Sequence, residues 1–263
     1  MTTLQQAIEQ AKAAGHKAFI PYIMAGDGGL ETIKPTILKL QQLKVTAIEV
    51  GIPFTDPVAD GPTIERAGER ALAAGVTLRS VLQTLASFRE EITVPLVVMT
   101  YFNPVLAYGL KPFAQACVAG GVKGLIVPDV PLEESELLRE ALNPYGIDVV
   151  QLVSLTSPPE RIARIAAASQ GFVYAVTVNG ITGARSRFAN NLEQHFASLN
   201  QASPIPVLAG FGISTPEQVK KMGALGDGVI VGSAIVTALH EGDLATVEAL
   251  VAASKGMLEK STL

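Results

Sequence analysis

Short apolar runs rich in β-branched residues recur along the whole chain, and segments with helical spacing of apolar residues lie between them. Eight runs are found, at 18–24, 47–51, 96–100, 124–127, 148–153, 172–176, 206–209 and 228–231. The helical spacing falls at 31–43, 78–88, 112–119, 133–142, 159–168, 192–199 and 216–222. Because the runs are continuously apolar instead of alternating with polar residues, they indicate parallel strands buried on both faces.

The alternation of strand and helix predicts an α/β fold, and eight such units in 263 residues predict a single (β/α)8 TIM barrel. An open doubly wound sheet is the alternative, but the first strand is not followed by the Gly-x-Gly-x-x-Gly pattern of a dinucleotide-binding turn. Further helical stretches at 1–14, 62–74 and 243–260 are expected to decorate the barrel. Since no linker or change of composition marks a boundary, residues 1–263 are expected to form one domain.

With 48% hydrophobic residues, a mean hydropathy of +0.35 and a net charge of −4, the chain has ample material for a core and no basic run. Nucleic acid and anionic membranes are therefore not expected as partners. No apolar run approaches the roughly 20 residues that cross a bilayer, and the first residues carry no export signal. The single cysteine, Cys117, cannot form an internal disulfide, so a soluble, cytoplasmic protein is expected.

One charged residue, Glu49, lies inside an apolar strand, where an ionised carboxylate is costly without a partner or a task. Strand periodicity places it on one face with the small residues Ala47 and Gly51, which leave room for a ligand. Active sites of such barrels lie at the carboxyl ends of the strands, so we interpret Glu49 as a catalytic acid/base. The alternative is a core ion pair with Lys17 or with an arginine from a helix.

A second carboxylate, Asp60, follows in the proline-rich segment after the same strand. Two carboxylates at one mouth can divide proton transfers between them. Asp60 precedes a helical stretch and could instead be its N-cap, and Asp56 before a proline is a good turn former. Both interpretations of each aspartate stay open at this point.

Glycine-rich turns follow three of the predicted strands, at 179–183, 210–214 and 231–234. Glycines let backbone N–H groups converge on an anion, and Ser233 would open a short helix whose N-terminus favours negative charge. The loops after strands 7 and 8 of such barrels commonly bind phosphate, and Gly212 and Gly232 fall there. The alternative is that each glycine only turns the chain.

The segment 180–187 after the sixth strand is polar and glycine-hinged, so it is either a lid over the substrate or a surface loop. Tyr174, in that sixth strand, would need a partner for its hydroxyl if buried. The histidines show no metal-ligand spacing, and no lysine lies in a strand with the register of the lumen. We therefore expect chemistry that runs on carboxylates, without a metal.

Three segments, 48–62, 127–134 and 210–214, closely resemble the alpha subunit of tryptophan synthase. The first contains Glu-x-Gly-x-Pro-Phe-x-Asp-Pro-x-Ala-Asp-Gly-Pro, a string highly specific to that family. The resemblance extends over essentially the whole chain. Conservative departures are Thr55, where the family often has serine, and Ile181, in a lid that often reads Gly-Val-Thr-Gly.

The resemblance implies a role for individual residues. Glu49 matches the family's acid/base, Asp60 its second carboxylate, and Tyr174 the tyrosine that precedes the lid. Thr182 would contact Asp60 when the lid closes. The residues that would hold the phosphate are Gly183, Gly212, Gly232 and Ser233.

The implied activity is that of a lyase in tryptophan biosynthesis, which cleaves indole-3-glycerol phosphate by a retro-aldol reaction to indole and glyceraldehyde 3-phosphate. An indole protonated at C3 is its own electron sink, so the reaction needs neither a metal nor a Schiff base. Asp60 would accept a hydrogen bond from the ring N–H, and Glu49 would move protons between C3 and the glycerol hydroxyl.

The resemblance also implies a partner, the tryptophan synthase beta subunit, in an alpha2beta2 heterotetramer that passes indole through a tunnel. Pyridoxal phosphate (PLP) belongs to that partner, and no cofactor is expected in this chain. The residues implied near the contact are Asp56, Asn103, Asp129 and Pro131.

Three other functions remain open: a stand-alone indole-3-glycerol-phosphate lyase, another phosphate-binding barrel such as a sugar-phosphate isomerase or epimerase, and a catalytically silent regulatory subunit. The isomerase would share the glycine turns but would not explain the string around Glu49 and Asp60. A silent subunit would have no reason to keep a costly buried carboxylate.

Overall fold

The sheet is a ring of parallel strands. The computed structural model describes residues 2–154, 157–176, 185–210 and 212–256, with side chains from 192 onward in the third of these ranges. Nine strands form one sheet in the order β5-β4-β3-β2-β1-β9-β8-β7-β6. They are β1 (Ala18–Met24), β2 (Ile48–Gly51), β3 (Leu96–Met99), β4 (Val122–Ile126), β5 (Asp148–Val149), β6 (Gln151–Ser154), β7 (Val173–Val176), β8 (Val207–Gly210) and β9 (Gly228–Val231).

Only Val150 separates β5 from β6, so these two strands are segments of a single strand. The first segment pairs with β4 and the second with β7, which brings the two ends of the strand order together. The sheet is therefore a nearly closed barrel of eight strand positions, and the predicted fold class is confirmed. That the whole chain is one domain stays a prediction.

The described helices surround this barrel. They are α1 (Leu4–Ala13), α2 (Ile33–Gln42), α3 (Pro62–Ala73), α4 (Leu78–Ser87), α5 (Phe102–Tyr108), α6 (Leu110–Ala119), α7 (Glu136–Leu142), α8 (Pro159–Ala168), α9 (Arg185–Ala202), α10 (Pro216–Leu225), α11 (Ser233–Glu241) and α12 (Leu244–Ala252).

Most helices lie where the apolar spacing predicts them, and α11 begins at Ser233 as expected. The short helix α5 is not predicted from the sequence, since its seven residues are too few for a clear period and include Pro104. Pro104 is tolerated because the N–H groups of a first helical turn have no partner within the helix. The helix predicted at 243–260 ends at Ala252, and 257–260 lie outside the described residues.

Helix α1 closes the amino end of the barrel. Leu4 is completely buried, and it lies so close to β4 that a Cβ atom at Gly124 would come within 2.5 Å of its Cδ1. A Cβ atom at Gly171, just before β7, would lie 3.0 Å from the same atom. Two glycines therefore make room for one leucine, which fills the lumen from below.

Among the described residues, we find no helix whose length and hydrophobicity would let it cross a lipid bilayer.

Replacing Leu4 by alanine should destabilise the fold, because it removes the apolar atoms that pack against Gly124 and Gly171. We expect the free energy of unfolding to fall by about 2–5 kcal/mol, the usual range for a fully buried leucine. Leu137→Ala is the matched control, since Leu137 on α7 is 45% exposed and should cost less than about 1 kcal/mol. Denaturant titration measures both variants, and equal losses would contradict the role assigned to Leu4.

Candidate active site

Glu49 lies in the lumen of the barrel. Its register partners are Tyr22 on β1 and Val97 on β3, and side chains in register on parallel strands point to the same face. Glu49 is only 1% exposed. The next layer towards the carboxyl ends contains Gly51, and the Tyr22 hydroxyl occupies the space that a side chain there would fill. This is the position in which sequence analysis expects an acid/base.

The glutamate has no cationic partner in the described structure. Lys17 does not reach it, because its Nζ donates a hydrogen bond to the carbonyl of Gly226, 2.7 Å away. The interpretation of Glu49 as half of an ion pair with Lys17 is therefore wrong. Its Oε2 atom accepts no hydrogen bond from any described residue. Burial, and then the negative charge of Asp60, raise the pKa of Glu49 to about 8. Glu49 is thus largely protonated at neutral pH.

Asp60 approaches Glu49 from the segment between β2 and α3. The N-cap of α3 is Gly61, so the alternative interpretation of Asp60 as the helix cap is wrong. Burial raises the pKa of Asp60 to about 6, a hydrogen bond from Tyr101 opposes that change, and the charge of Glu65 adds to it. Asp60 is thus largely ionised at pH 7, while Glu49 keeps its proton. The two carboxyl groups are in different protonation states because they are buried to different degrees.

Tyr101 holds the segment that carries Asp60. Its hydroxyl accepts a hydrogen bond from the Ala59 N–H at 3.1 Å, and it lowers the pKa of the neighbouring Asp60 carboxyl group. Its ring stacks on Phe54, with 5.2 Å between the ring centroids. Sequence analysis missed Tyr101. The available signal was an aromatic hydroxyl placed just beyond a predicted strand, at the end of the barrel where sites occur.

Two buried tyrosines complete the lumen, each accommodated by a glycine. A Cβ atom at Gly51 would lie 1.9 Å from the Tyr22 hydroxyl, and one at Gly210 would lie 2.2 Å from Cε1 of Tyr174. Burial, then the charge of Glu49, and then Tyr22 raise the pKa of Tyr174 well above its usual value. The structure therefore brings Tyr174 to the same lumen as Glu49, together with Tyr22, which the sequence analysis did not single out.

The glycine turns predicted to bind phosphate lie at the same end of the barrel. Gly212 follows β8 with φ of +73°, a left-handed conformation that favours glycine. Gly232 follows β9 and is the N-cap of α11, whose first turn contains no acidic residue. These features leave backbone N–H groups and a positive helix end available to an anion. Thr182 and Gly183, predicted for the lid and phosphate, lie outside the described residues.

The residues expected near a partner are all exposed and follow β2, β3 or β4, so they share the end of the barrel that carries the site. Asp129 has a structural contact as well, since its two carboxylate oxygens accept hydrogen bonds from the Phe102 N–H at 3.1 and 3.2 Å. It thereby fixes the first turn of α5. The remaining residues of this set are Asp56, Asn103 and Pro131.

Asp27 contacts side chains from two helices, α3 and α11. Arg70 on α3 donates two hydrogen bonds to Asp27 after β1, each 2.7 Å long, in a bidentate arrangement. Nδ1 of His240 on α11 lies 3.8 Å from the same carboxylate. The helix after Asp60 and the helix capped by Gly232 therefore meet at one aspartate.

The fold and site together define a class of protein: a (β/α)8 barrel with two partly or fully buried carboxyl groups of raised pKa and glycine turns after its last two strands. In the described part of the chain, no cluster of histidine, cysteine and acidic residues could hold a metal ion. The chain belongs to the family described as Tryptophan synthase alpha chain, which its residues 8–262 match.

Individual relatives agree with this family. A tryptophan synthase alpha chain from Bacillus thuringiensis subsp. konkukian is 49% identical over 236 residues, which is 89% of this chain and 92% of the relative. One from Bacillus mycoides is 50% identical over 226 residues, covering 86% of this chain and 88% of that one.

Solved structures of the family have the same fold. Mycobacterium tuberculosis tryptophan synthase aligns with a TM-score of 0.87 and 36% identity over 97% of this chain and 99% of that chain. The alpha subunit from Legionella pneumophila aligns with a TM-score of 0.83 and 33% identity over 98% of each chain.

The raised pKa of Glu49 makes stability depend on pH. A glutamate in the unfolded chain has its ordinary pKa of about 4.5, whereas burial raises the pKa of Glu49 in the folded barrel to about 8. The folded state therefore binds more protons in this window, and the free energy of unfolding falls as the pH rises through it, by up to about 1.4 kcal/mol per pH unit.

Glu49→Gln should abolish this contribution, because glutamine cannot ionise. We expect the variant to be about 4–5 kcal/mol more stable than the unmodified chain at pH 8 and nearly equal near pH 4. Denaturant titrations across this range measure the difference. Glu69→Gln on the exposed face of α3 is the control and should change stability little at either pH. A difference that does not grow with pH would contradict the burial assigned to Glu49.

Proposed function

We propose that this chain is a carbon–carbon lyase that cleaves indole-3-glycerol phosphate to indole and glyceraldehyde 3-phosphate in tryptophan biosynthesis. The observation that supports this most is the pairing of a buried, protonated Glu49 with an ionised Asp60 in one lumen. A reaction that needs an acid, a base and a stabilising negative charge can run on these two groups. The match to the Tryptophan synthase alpha chain family over residues 8–262 supports the same substrate.

Glu49 would act twice in one turnover. It first donates its proton to C3 of the indole ring, which leaves a carboxylate and an indole that carries positive charge at its ring nitrogen. That carboxylate then takes the proton of the hydroxyl on the side-chain carbon bonded to C3. As the carbon–carbon bond breaks, its electron pair returns to the ring, the aldehyde forms, and Glu49 is protonated again. The raised pKa of Glu49 supports this order, since it starts the cycle as an acid.

Asp60 would accept a hydrogen bond from the ring N–H and stabilise the positive charge that develops there. Its lower pKa, about 6, supports that role because the residue must be ionised to do so. Tyr101 would hold the Asp60 carboxylate in place, since its hydroxyl binds the backbone of the adjacent Ala59 and favours the ionised form of Asp60. Tyr174 would line the same lumen as a third catalytic residue.

The phosphate of the substrate would bind at the rim, held by backbone N–H groups of the glycine turns and by the start of α11. The left-handed Gly212 and the uncharged first turn of α11 support this placement. Thr182 would close over Asp60 as part of a lid. The remaining residues that we assign to the phosphate are Gly183, Gly232 and Ser233.

The chain would work with a tryptophan synthase beta subunit in an alpha2beta2 heterotetramer in the cytoplasm. PLP would reside in that partner, and this chain would use no cofactor of its own. The exposure of Asp56, Asn103, Asp129 and Pro131 at the mouth of the barrel supports a docking face there. Family membership supports the partner, since the family is described as an alpha chain.

Indole release from indole-3-glycerol phosphate tests the proposal. The purified chain should release indole slowly alone and much faster with a PLP-containing beta subunit, while Glu49→Gln should lose at least about 100-fold in kcat with substrate affinity nearly unchanged. Glu69→Gln, which removes an exposed carboxylate, should keep the full rate. Fast release without a partner would point to a stand-alone lyase, and no release in either case would overturn the activity.

The activity should depend on pH as a bell-shaped curve. Asp60 must be ionised and Glu49 protonated in the free enzyme, so kcat/KM should fall below about pH 6 and again above about pH 8. Initial rates at low substrate concentration between pH 5 and 9 measure both limbs, within about a unit of these values. A profile that keeps rising above pH 8 would mean that Glu49 begins the reaction as a base instead.

A further inference from the structure

Tyr22 places a hydroxyl group among the catalytic carboxyl groups. It stands in register with Glu49 on the neighbouring strand, so the two side chains share the lumen face. It is only 6% exposed. An aromatic residue in this position would fill the lumen equally well without an oxygen, so the hydroxyl itself needs a reason.

The position of that hydroxyl follows from its contact with Gly51. A Cβ atom at Gly51 would come within 1.9 Å of the Tyr22 oxygen, so the hydroxyl occupies the space that a side chain there would fill. Gly51 lies one layer above Glu49 on the same face of β2. The hydroxyl is therefore on the side of Glu49 that faces the mouth of the barrel, from which substrate enters.

The hydroxyl of Tyr22 keeps its proton. Burial, then the charges of Asp60 and Glu49, and then Tyr101 raise the pKa of Tyr22 well above its usual value. Tyr22 can therefore donate a hydrogen bond throughout the pH range in which the enzyme would work.

Glu49 needs such a donor when it ionises. Its Oε2 accepts no hydrogen bond from the described residues, and a buried carboxylate without donors is costly. The titratable groups that face it from neighbouring elements are Tyr22 on β1, Asp60 from the segment after β2, and Tyr174 on β7. Asp60 is ionised during the proposed reaction and cannot donate, which leaves the two phenols.

We propose that Tyr22 is a positioning residue whose hydroxyl donates a hydrogen bond to the Glu49 carboxylate while that group is ionised. This inference rests on the proposed function, because it concerns the interval between the two proton transfers of Glu49. The phenol gives up no proton. It stabilises the negative charge after C3 of the indole has been protonated, and the charge disappears when Glu49 takes the proton of the substrate hydroxyl.

Tyr22→Phe tests the inference, since it removes the oxygen and keeps the ring against Gly51. We expect kcat to fall about 10- to 100-fold, the usual effect of losing a hydrogen bond to a charged group, with KM changed less than about twofold. The alkaline limb of the kcat/KM profile, near pH 8, should also shift to higher pH. Without the donor the ionised form of Glu49 is less stable, so its pKa rises. A tyrosine that only fills space would not move this limb.

Tyr145→Phe is the control. Tyr145 precedes β5 at the amino end of the barrel, away from the lumen groups, and its variant should keep both kcat and the limb. A ring-fluorinated tyrosine at position 22 covers the case in which Tyr22→Phe does not fold. It keeps the oxygen but makes the phenol a stronger hydrogen-bond donor, so it should shift the same limb to lower pH.

The outcomes separate this inference from the proposed function. If the unmodified chain releases no indole with the beta subunit present, the proposed function is wrong. If it does release indole, and neither Tyr22→Phe nor the fluorinated tyrosine moves the limb near pH 8, the role of Tyr22 is wrong and the proposed reaction stands.

Discussion

The burial of Glu49 in a nearly closed barrel is the constraint on which the rest of the site depends. An ionised carboxylate in that position lacks solvation, and no cation among the described residues compensates for it. The group therefore holds its proton to about pH 8, and Asp60 nearby strengthens this effect. Two features of its surroundings depend on this: a second carboxyl group that is less buried and carries the charge, and two buried phenols that keep their protons. The burial that costs stability when Glu49 ionises would also make this group an acid in the proposed reaction.

Steric fit, more than hydrogen bonding, sets the arrangement of the lumen. Tyr22 and Tyr174 approach backbone at Gly51 and Gly210 so closely that no side chain could stand there. The glycines are on β2 and β8, three positions apart in the strand order, and they let two large rings enter a space that eight strands leave narrow. The same principle operates at the amino end, where Gly124 and Gly171 accommodate Leu4. Missing side chains on the strands thus decide which large residues reach the centre.

Much of this could be predicted from the sequence, and the exceptions have physical causes. Continuous apolar runs predict the strands well, because a strand buried on both faces has apolar residues at every position. The charged Glu49 is conspicuous in such a run. Tyr22 and Tyr101 could not be singled out, since their importance depends on register and on a loop that folds back towards Tyr101. Helix α5 was missed because seven residues carry too little periodicity. The break at Val150 was likewise invisible, since an interrupted strand reads as a continuous one.

Leu4 at the amino end of the barrel limits the routes by which a ligand can enter and leave the lumen. With the amino end filled, the lumen is open only at its carboxyl end. A ligand that reaches Glu49 must therefore enter and leave past Asp60 and the glycine turns. A small apolar product formed in such a lumen cannot leave through the amino end of the barrel. A protein bound over the open end of the barrel would therefore receive that product. Leu4, on an N-terminal helix far from any reacting atom, would decide the end at which the product leaves.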